Sequence, residues 1–321
     1  MDSKSFFQNC PGTIIALAGF HQRTAAAMLE QIFNTYFATT DLADKVVTVA
    51  EVADPAHRIL RDVDTLSDIS NIDIVLYLLS RSQLADLAVN LPFFVIDQTT
   101  DSTTGVPVVR NTHLNSQKTF YLGRDLNSYA LANQTMASSK RAFPEDLQFS
   151  LPDLQVVGDW QRECAAAAAI TALEFGFKPD LIQQALAAFA ELPHHLDFIR
   201  EVSGVKYYDD GVSVTPELAT ISIRTFNQPI VISAHKFPKE LVKRQIIIPA
   251  PTTPESVKTT NDTTANASTL GISEPLVDYA DTLADAAGLA SIFALEGDTV
   301  LFAPAVPGIN PEQFVMEVNK L

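Results

Sequence analysis

Short apolar runs of strand length alternate with helical patterns along the whole chain. In the first half, strand patterns lie at Thr13–Ala18, Lys45–Val52, Ile72–Leu79 and Phe93–Asp97. An Ala-rich amphipathic helix pattern, Thr24–Tyr36, follows the first of these runs, and a shorter one covers Gln83–Val89. Strands that alternate with helices are typical of a parallel sheet with helices on its faces. The sequence therefore predicts an α/β fold, in which the polar stretch Thr99–Leu154 forms short hairpin-like pieces such as Val106–Asn111 and Lys118–Gly123.

Two helices and a proline mark the middle of the chain. Asp159–Phe175 has the clearest helical pattern, Gly176 stands at its C-cap, and Pro179 opens a second helix, Asp180–Ala190. Pro193 then interrupts the pattern. Because 321 residues are comfortable for two domains, we predict a boundary here, with domains at 1–191 and 192–321.

The second half repeats the alternation on a smaller scale. A hairpin pattern surrounds Ser203-Gly204, and the Thr-, Asn- and Pro-rich stretch Pro251–Ser268 is typical of a loop. The predicted elements that follow the hairpin are Pro216–Phe226, Pro229–Ser233, Gln245–Pro249, Leu283–Phe293, Thr299–Ala303 and Pro311–Lys320. This order predicts a small, doubly wound, Rossmann-like domain.

Charge and hydropathy exclude several classes of partner. The formal net charge is −16, whereas binding to nucleic acid or to an anionic membrane surface requires a cationic patch. The longest apolar runs are far shorter than the ~20 residues of a membrane span. The N-terminus has no apolar stretch of signal-peptide length, and the two cysteines fit no metal or disulfide spacing. We therefore expect a cytoplasmic protein without nucleic-acid or membrane partners.

The segment after the first predicted strand reads Gly19-Phe20-His21-Gln22-Arg23-Thr24. A phosphate-binding loop needs glycines whose neighbouring N–H groups face the phosphates, a Lys, and a Ser or Thr hydroxyl for Mg²⁺. Gly19 and Thr24 meet this pattern, but Gln22 stands in the second glycine position and Arg23 in the lysine position. The alternative is a plain strand-to-helix turn, although a helix N-terminus still favours an anion.

Other polar residues allow a functional and a structural interpretation. His194-His195 resembles a metal pair, but adjacent side chains point in different directions, which favours a turn. Asp209-Asp210 is either a metal site or, as at many strand ends, a solvated acidic turn. Trp160 could stack on a purine, but its place at a helix start favours core packing. His21 could donate a hydrogen bond to a phosphate, but we expect it to be an exposed loop histidine. No residue has the sequence context of a catalytic group.

Four segments, in this order, resemble the Mur ligase family, and its D-glutamate-adding members in particular. Ser5–Thr24 is similar to the strand that leads into the family's GTxGK[ST] loop, and Phe177–Ile199 to its G-L-P-H-R-x-E turn. Gly204–Phe226 resembles the stretch that carries N-D-S-x-A-T-x-P, and Glu296–Phe314 resembles the G-D-x-V-L-L-S-P-A run. The resemblance implies a central P-loop-NTPase-like domain followed by a C-terminal Rossmann-like domain.

The resemblance also implies a set of ligands and residues. Mur ligases use ATP and Mg²⁺ to convert a carboxylate into an acyl phosphate, which an amine then attacks. By correspondence, Gly19, Arg23 and Thr24 would contact phosphates, and Asp210 would contact the ATP ribose. Thr24 and Asp101 would bind the metal. The chain departs from the family pattern at Gln22, Arg23, Tyr77 (for a metal-binding Glu), Ser102 (for His), Gln161 (for Asn) and Ser233–Pro238 (for a glycine-rich run).

Two functions remain open from the sequence. The first is a pseudoenzyme that keeps the fold as a binding protein and has lost the standard ATP-dependent ligase activity. The second is an active carboxylate–amine ligase of peptidoglycan precursor synthesis, which adds D-glutamate to a UDP-sugar peptide. The family has an N-terminal UDP-binding domain that this resemblance does not include, so a protein partner that supplies it is also an expectation.

Overall fold

A computed structural model describes residues 10, 12–40, 47–51, 73–101, 105–190, 192–251 and 276–321. The chain divides into two compact units, Met1–Ala190 and Glu191–Leu321. Most of the predicted loop Pro251–Ser268 lies outside the described residues. Within the described part of the chain, every helix is too short or too polar to cross a membrane.

The first unit is built on a parallel sheet. Its strands are β1 (Thr13–Ala18), β2 (Val47–Glu51), β3 (Ile74–Leu78), β4 (Asn90–Ile96), β5 (Asn115–Leu122) and β6 (Ser139–Phe143). Their spatial order is β2-β3-β1-β4-β5-β6, and all five neighbouring pairs are parallel. The helices of this unit are α1 (Gln22–Ala38), α2 (Arg81–Asp86), α3 (Leu126–Gln134), α4 (Asp159–Leu173) and α5 (Pro179–Ala187).

The hairpin interpretation of the region after Thr99 is wrong. Lys118–Gly123 contributes to β5, which pairs in parallel with β4 on one side and with β6 on the other. Val106–Asn111 contains no strand, and only Pro107 makes an isolated bridge, to Thr100. Parallel neighbours need a crossover connection, which α3 provides between β5 and β6. The helix α2 also begins earlier than predicted, because Ser80 and Gln83 form a capping box at its start.

The second unit has a smaller mixed sheet. Its strands are β7 (Asp197–Val202), β8 (Val205–Asp209), β9 (Ile230–Ser233), β10 (Arg244–Ile247), β11 (Leu276–Tyr279) and β12 (Thr299–Phe302), in the order β11-β10-β9-β12-β8-β7. Only β7 and β8 pair in antiparallel fashion, as the hairpin around Ser203-Gly204 that the sequence predicted. The helices are α6 (Pro216–Ile223), α7 (Leu283–Phe293) and α8 (Pro311–Val318).

The α/β fold class is confirmed, and in the first unit it depends on close helix packing. The helix α1 packs against α4 and α5. In α4, the five consecutive alanines Ala165–Ala169 are all buried, so the helix is enclosed on every side. Alanine side chains let neighbouring backbones approach closely, and a close-packed interior has no room for larger ones.

Enlarging one of these alanines is expected to destabilise the first unit. Ala167→Leu inserts three carbons into a filled interior, which costs about 1–3 kcal/mol of unfolding free energy. Denaturant titration followed by circular dichroism measures this loss. Ala130→Leu, at an exposed position of α3, is the matched control and should leave the unfolding free energy within about 0.5 kcal/mol of the original value. Equal stability of the two variants would contradict the packing described for α4.

Candidate functional site

The candidate site lies where two adjacent strands of the first sheet send the chain in opposite directions. After β1 the chain runs to β2 on one side of the sheet, and after β4 it runs to β5 on the other. In open α/β sheets, ligands bind outside the carboxyl ends of the strands at such a switch point. The structure places Gly19–Thr24 after β1 and Asp97–Asp101 after β4, so the predicted phosphate loop and the predicted metal residue Asp101 follow neighbouring strands.

The backbone N–H groups of the loop donate to the protein itself. The Phe20 N–H donates to the carbonyl oxygen of Gln98 at 3.0 Å. The His21 N–H donates to Oδ2 of Asp97 at 2.9 Å. Gly19 has a φ of +125°, and a Cβ added there would lie 2.8 Å from the Asp97 Cβ. Position 19 therefore requires glycine because of a close approach between two segments of this chain.

His21 is buried, so the prediction of an exposed loop histidine is wrong. Its Nδ1 lies 3.1 Å from Oδ2 of Asp97. Its ring stacks on Trp160, with 4.4 Å between the ring centroids and 16° between the planes. Trp160 is itself buried, as its core-packing interpretation expected. One face of the indole thus contacts an imidazole of the same chain, where the alternative interpretation expected a purine.

Three residues that contact or follow His21 each have a buried polar atom without a hydrogen-bond partner. In the described part of the chain, the buried side-chain atoms without a hydrogen-bond partner are Oε1 of Gln22, Oδ1 of Asp97 and Nε1 of Trp160. Buried polar groups are paired in most native structures, so each of these exceptions calls for a specific physical explanation. All three belong to residues that contact His21 or follow it directly.

The remaining loop positions differ in exposure. Gln22 is half-buried, Arg23 is exposed and Thr24 is buried. Gln22 and Arg23 lie in the first turn of α1, whose N-cap, His21, makes no side-chain capping hydrogen bond. The contacts of Gly19, Arg23 and Thr24 with phosphates remain predictions, as does the role of Thr24 as a metal ligand.

The segment after β4 is held by a buried carboxylate that sequence reasoning missed. Asp125 accepts hydrogen bonds from the N–H groups of Thr99 at 2.5 Å and Thr100 at 3.0 Å, and from the Thr100 hydroxyl at 2.6 Å. Burial raises the pKa of Asp125, but these hydrogen bonds outweigh burial and lower it below its usual range. Asp125 is also the N-cap of α3, and an Asp before Leu126-Asn127-Ser128 was a recognisable capping signal.

Asp101 lies at the end of this anchored segment and is buried. Beside it is a cavity of about 510 Å³, lined by Gln98, Asp101, Arg124 and Asn127 among others. Among the described residues, no three His, Cys, Asp or Glu side chains are arranged to hold a metal ion. The proposed metal role of Asp101 stays a prediction, and Ser102 lies outside the described residues.

Tyr77 and Gln161, two departures from the family pattern, are buried inside the first unit. The Tyr77 hydroxyl accepts a hydrogen bond from Nε2 of Gln83 at 2.8 Å. The Gln161 amide donates to the carbonyl oxygen of Val157 at 3.3 Å. Both side chains therefore make hydrogen bonds within the protein.

In the second unit, the interpretation of Asp209-Asp210 as a solvated turn is wrong, because both side chains are buried. The Asp209 carboxylate pairs with Nδ1 of His194, which agrees with a structural turn at His194. The Asp210 carboxyl accepts a hydrogen bond from the Ser213 hydroxyl. Burial raises the pKa of Asp210 to about 7 in spite of that bond. The contact of Asp210 with a ribose remains a prediction.

No protein-family model matches the sequence. Among curated proteins, the UDP-N-acetylmuramoylalanine–D-glutamate ligase of Roseiflexus sp. is 30% identical over 167 residues, which are 47% of this chain and 34% of the relative. The same enzyme of Thermoanaerobacter sp. is 30% identical over 166 residues, 48% of this chain and 35% of the relative. The match thus spans about a third of the length of these curated relatives.

Solved structures with similar folds cover almost the entire chain. The MurF ligase of Thermotoga maritima, in complex with ADP, covers 99% of this chain and 82% of its own at 16% identity, with a TM-score of 0.66. The folylpolyglutamate synthase of Mycobacterium tuberculosis, also with ADP, covers 97% of this chain and 90% of its own at 12% identity, with a TM-score of 0.56. The chain is therefore similar to Mur ligases in sequence and in fold. It has the α/β fold of these solved structures, with the site differences described above.

The buried Asp210 is expected to make the stability of the second unit depend on pH. Between about pH 4 and pH 7 the folded state keeps a proton that the unfolded state has lost, so unfolding free energy falls as pH rises. One such group contributes a slope of at most about 1.4 kcal/mol per pH unit. Asp210→Asn should flatten this dependence, whereas Asp281→Asn, at an exposed position, should not. Denaturant titrations between about pH 4 and pH 7 measure the unfolding free energy of the original chain and of both variants. The same pH dependence in all three proteins would contradict the prediction.

Proposed function

We propose that this Mur ligase relative has lost the family's standard ATP-dependent ligation and acts as a binding protein. One observation carries the proposal: the β1–α1 loop donates the Phe20 and His21 N–H groups to Gln98 and Asp97. A phosphate loop works because such N–H groups face the phosphate oxygens. Here they face oxygens of the same chain.

The side chains around the loop support the same conclusion. Arg23 stands where a Lys would reach the outer phosphates, and a planar guanidinium does not replace a compact ammonium in a tight loop. A phenol is a poor Mg²⁺ ligand beside a carboxylate, and the Tyr77 hydroxyl already accepts from Gln83. Phosphoryl transfer depends almost entirely on positioned charge, so these changes act together. Triphosphate and magnesium do not fit the loop in this arrangement.

The ligand class that we propose is a UDP-sugar peptide, the kind of molecule that the curated relatives' name describes. The cavity beside Asp101 supports this, because its volume of about 510 Å³ is in the range of small-molecule sites. Its lining combines the Gln98 and Asn127 amides with two carboxylates and a guanidinium, groups that bind hydroxyls and carbonyls.

An active D-glutamate-adding ligase is the second candidate. The observation in its favour is the 30% identity with known ligases over about half of this chain. Gly19 and Thr24 also stand at two positions of the family's loop pattern. For this function the loop would have to release its internal hydrogen bonds when nucleotide binds.

Thermal unfolding with and without Mg-ATP separates the two functions. A ligand present at a hundred times its Kd stabilises a protein by about 2.7 kcal/mol, which is a clear shift in Tm. We expect no shift for this chain at about 1 mM Mg-ATP, and a shift with UDP-N-acetylmuramoyl-alanine. The Roseiflexus relative, run beside it, shows the response of a ligase.

A phosphate-release assay completes the comparison. Phosphate release from Mg-ATP that requires both D-glutamate and UDP-N-acetylmuramoyl-alanine would overturn the binding-protein proposal and establish the ligase. Absence of release, together with a Tm shift by the UDP-sugar peptide alone, supports the proposal. If neither ligand shifts the Tm, the loss of ligation stands but the proposed ligand class is wrong.

A further inference from the structure

The Asp97 carboxylate lies at the N-terminus of α1, where a helix of 17 residues favours an anion. Its Oδ2 accepts the N–H of His21, the N-cap residue, and also contacts the His21 ring. The first turn of α1 contains no acidic residue and the N-cap side chain forms no capping bond. The negative charge at this helix end therefore comes from the residue that follows β4, 76 positions along the chain.

The second oxygen of this carboxylate is unsatisfied. Asp97 is 2% exposed, and among the described residues its Oδ1 has no hydrogen-bond partner. A buried charge whose hydrogen bonds are incomplete acts strongly on its neighbours, because water does not screen it. Two neighbours show the effect: burial and then the Asp97 charge raise the pKa of Cys164, and Asp97 contributes to the raised pKa of Arg124 after the larger effect of Glu163.

Asp97 also occupies the space directly beside Gly19 of the loop. A Cβ at Gly19 would lie 2.8 Å from the Asp97 Cβ and 3.0 Å from its carbonyl carbon. Phosphate oxygens need to approach a loop of this kind within hydrogen-bond distance of its N–H groups. At the His21 N–H, that place is taken by Oδ2 of Asp97 at 2.9 Å.

We infer that the Asp97 carboxylate occupies the oxyanion position at the N-terminus of α1 and sets the ligand class of this loop. It excludes phosphate groups by charge and by volume, and its removal opens a site for inorganic pyrophosphate. The inference rests on the proposed function, for which it names the residue that keeps polyphosphates out of the β1–α1 loop. An anion that enters the vacated position meets the His21 N–H and the positive end of the α1 dipole.

Two substitutions separate charge from volume. Asp97→Asn removes the charge and keeps the volume, whereas Asp97→Ser removes both. Glu163→Gln is the matched control: it removes one negative charge on α4 that, like the Asp97 charge, raises the pKa of Cys164, but in this structure the Glu163 carboxylate pairs with Arg124. Circular dichroism and denaturant titration first establish that each variant is folded.

Isothermal titration with pyrophosphate is the test. We expect no binding by the original chain or by Glu163→Gln. Asp97→Ser should bind at least about tenfold more tightly than the original chain, and Asp97→Asn should fall between them. The inference is overturned if the folded Asp97 variants are as indifferent to pyrophosphate as the control. Unfolding of Asp97→Asn would contradict it as well, because Asn keeps an acceptor for the His21 N–H.

The same titration distinguishes this inference from the proposed function. Tight pyrophosphate binding by the original chain would overturn the inference but not the proposed UDP-sugar peptide ligand, because that ligand itself carries a diphosphate. If none of the four proteins binds pyrophosphate, the result contradicts only the inferred role of Asp97 and agrees with a loop whose N–H groups are used within the protein. Equal gains in pyrophosphate affinity in Asp97→Ser and Glu163→Gln would show that the net charge of the protein, and not the oxyanion position, decides binding.

Discussion

The hydrogen bond from the His21 N–H to the Asp97 carboxylate joins the two segments that leave the first sheet at its switch point. The other features of the site depend on this contact. It holds the His21 ring against Trp160, it brings Asp97 against Gly19, and it uses a donor that a phosphate would need. Asp125 fixes the far side of the contact, because it holds the backbone of Thr99 and Thr100. A local rearrangement of the loop would therefore have to break several buried hydrogen bonds together.

The fold and the candidate site of this chain place different requirements on their residues. Residues that face the core need only suitable volume and hydrophobicity, and many substitutions meet that requirement. Accordingly, the solved MurF ligase and folylpolyglutamate synthase structures have folds similar to that of this chain at 12–16% identity. A phosphate site needs particular donors at particular positions. In the proposed function, side chains such as Gln22 and Asp97, placed among those donors, alter the ligand class while the sheet stays intact.

The sequence predicts the elements whose signal is local. Strand β1, the helix α4 and the hairpin β7–β8 follow from runs of apolar residues, from Gly176 and from Ser203-Gly204. The parallel pairing of β5 does not follow, because it depends on neighbours that are distant along the chain. The burial of His21 fails for the same reason, since its partner Asp97 is 76 positions away. Asp209 and Asp210 look like a solvated turn until the hydroxyl of Ser213 and the ring of His194 are placed beside them.

Amide hydrogen exchange at Phe20 and His21 tests most directly whether the loop N–H groups are used within the protein. NMR can follow both amides in the free protein and with about 1 mM Mg-ATP. We expect each to exchange at least about a hundredfold more slowly than in an unstructured peptide, as buried and bonded amides do, with no change when Mg-ATP is added. Exchange at unstructured rates in the free protein, followed by protection when Mg-ATP binds, would contradict the account.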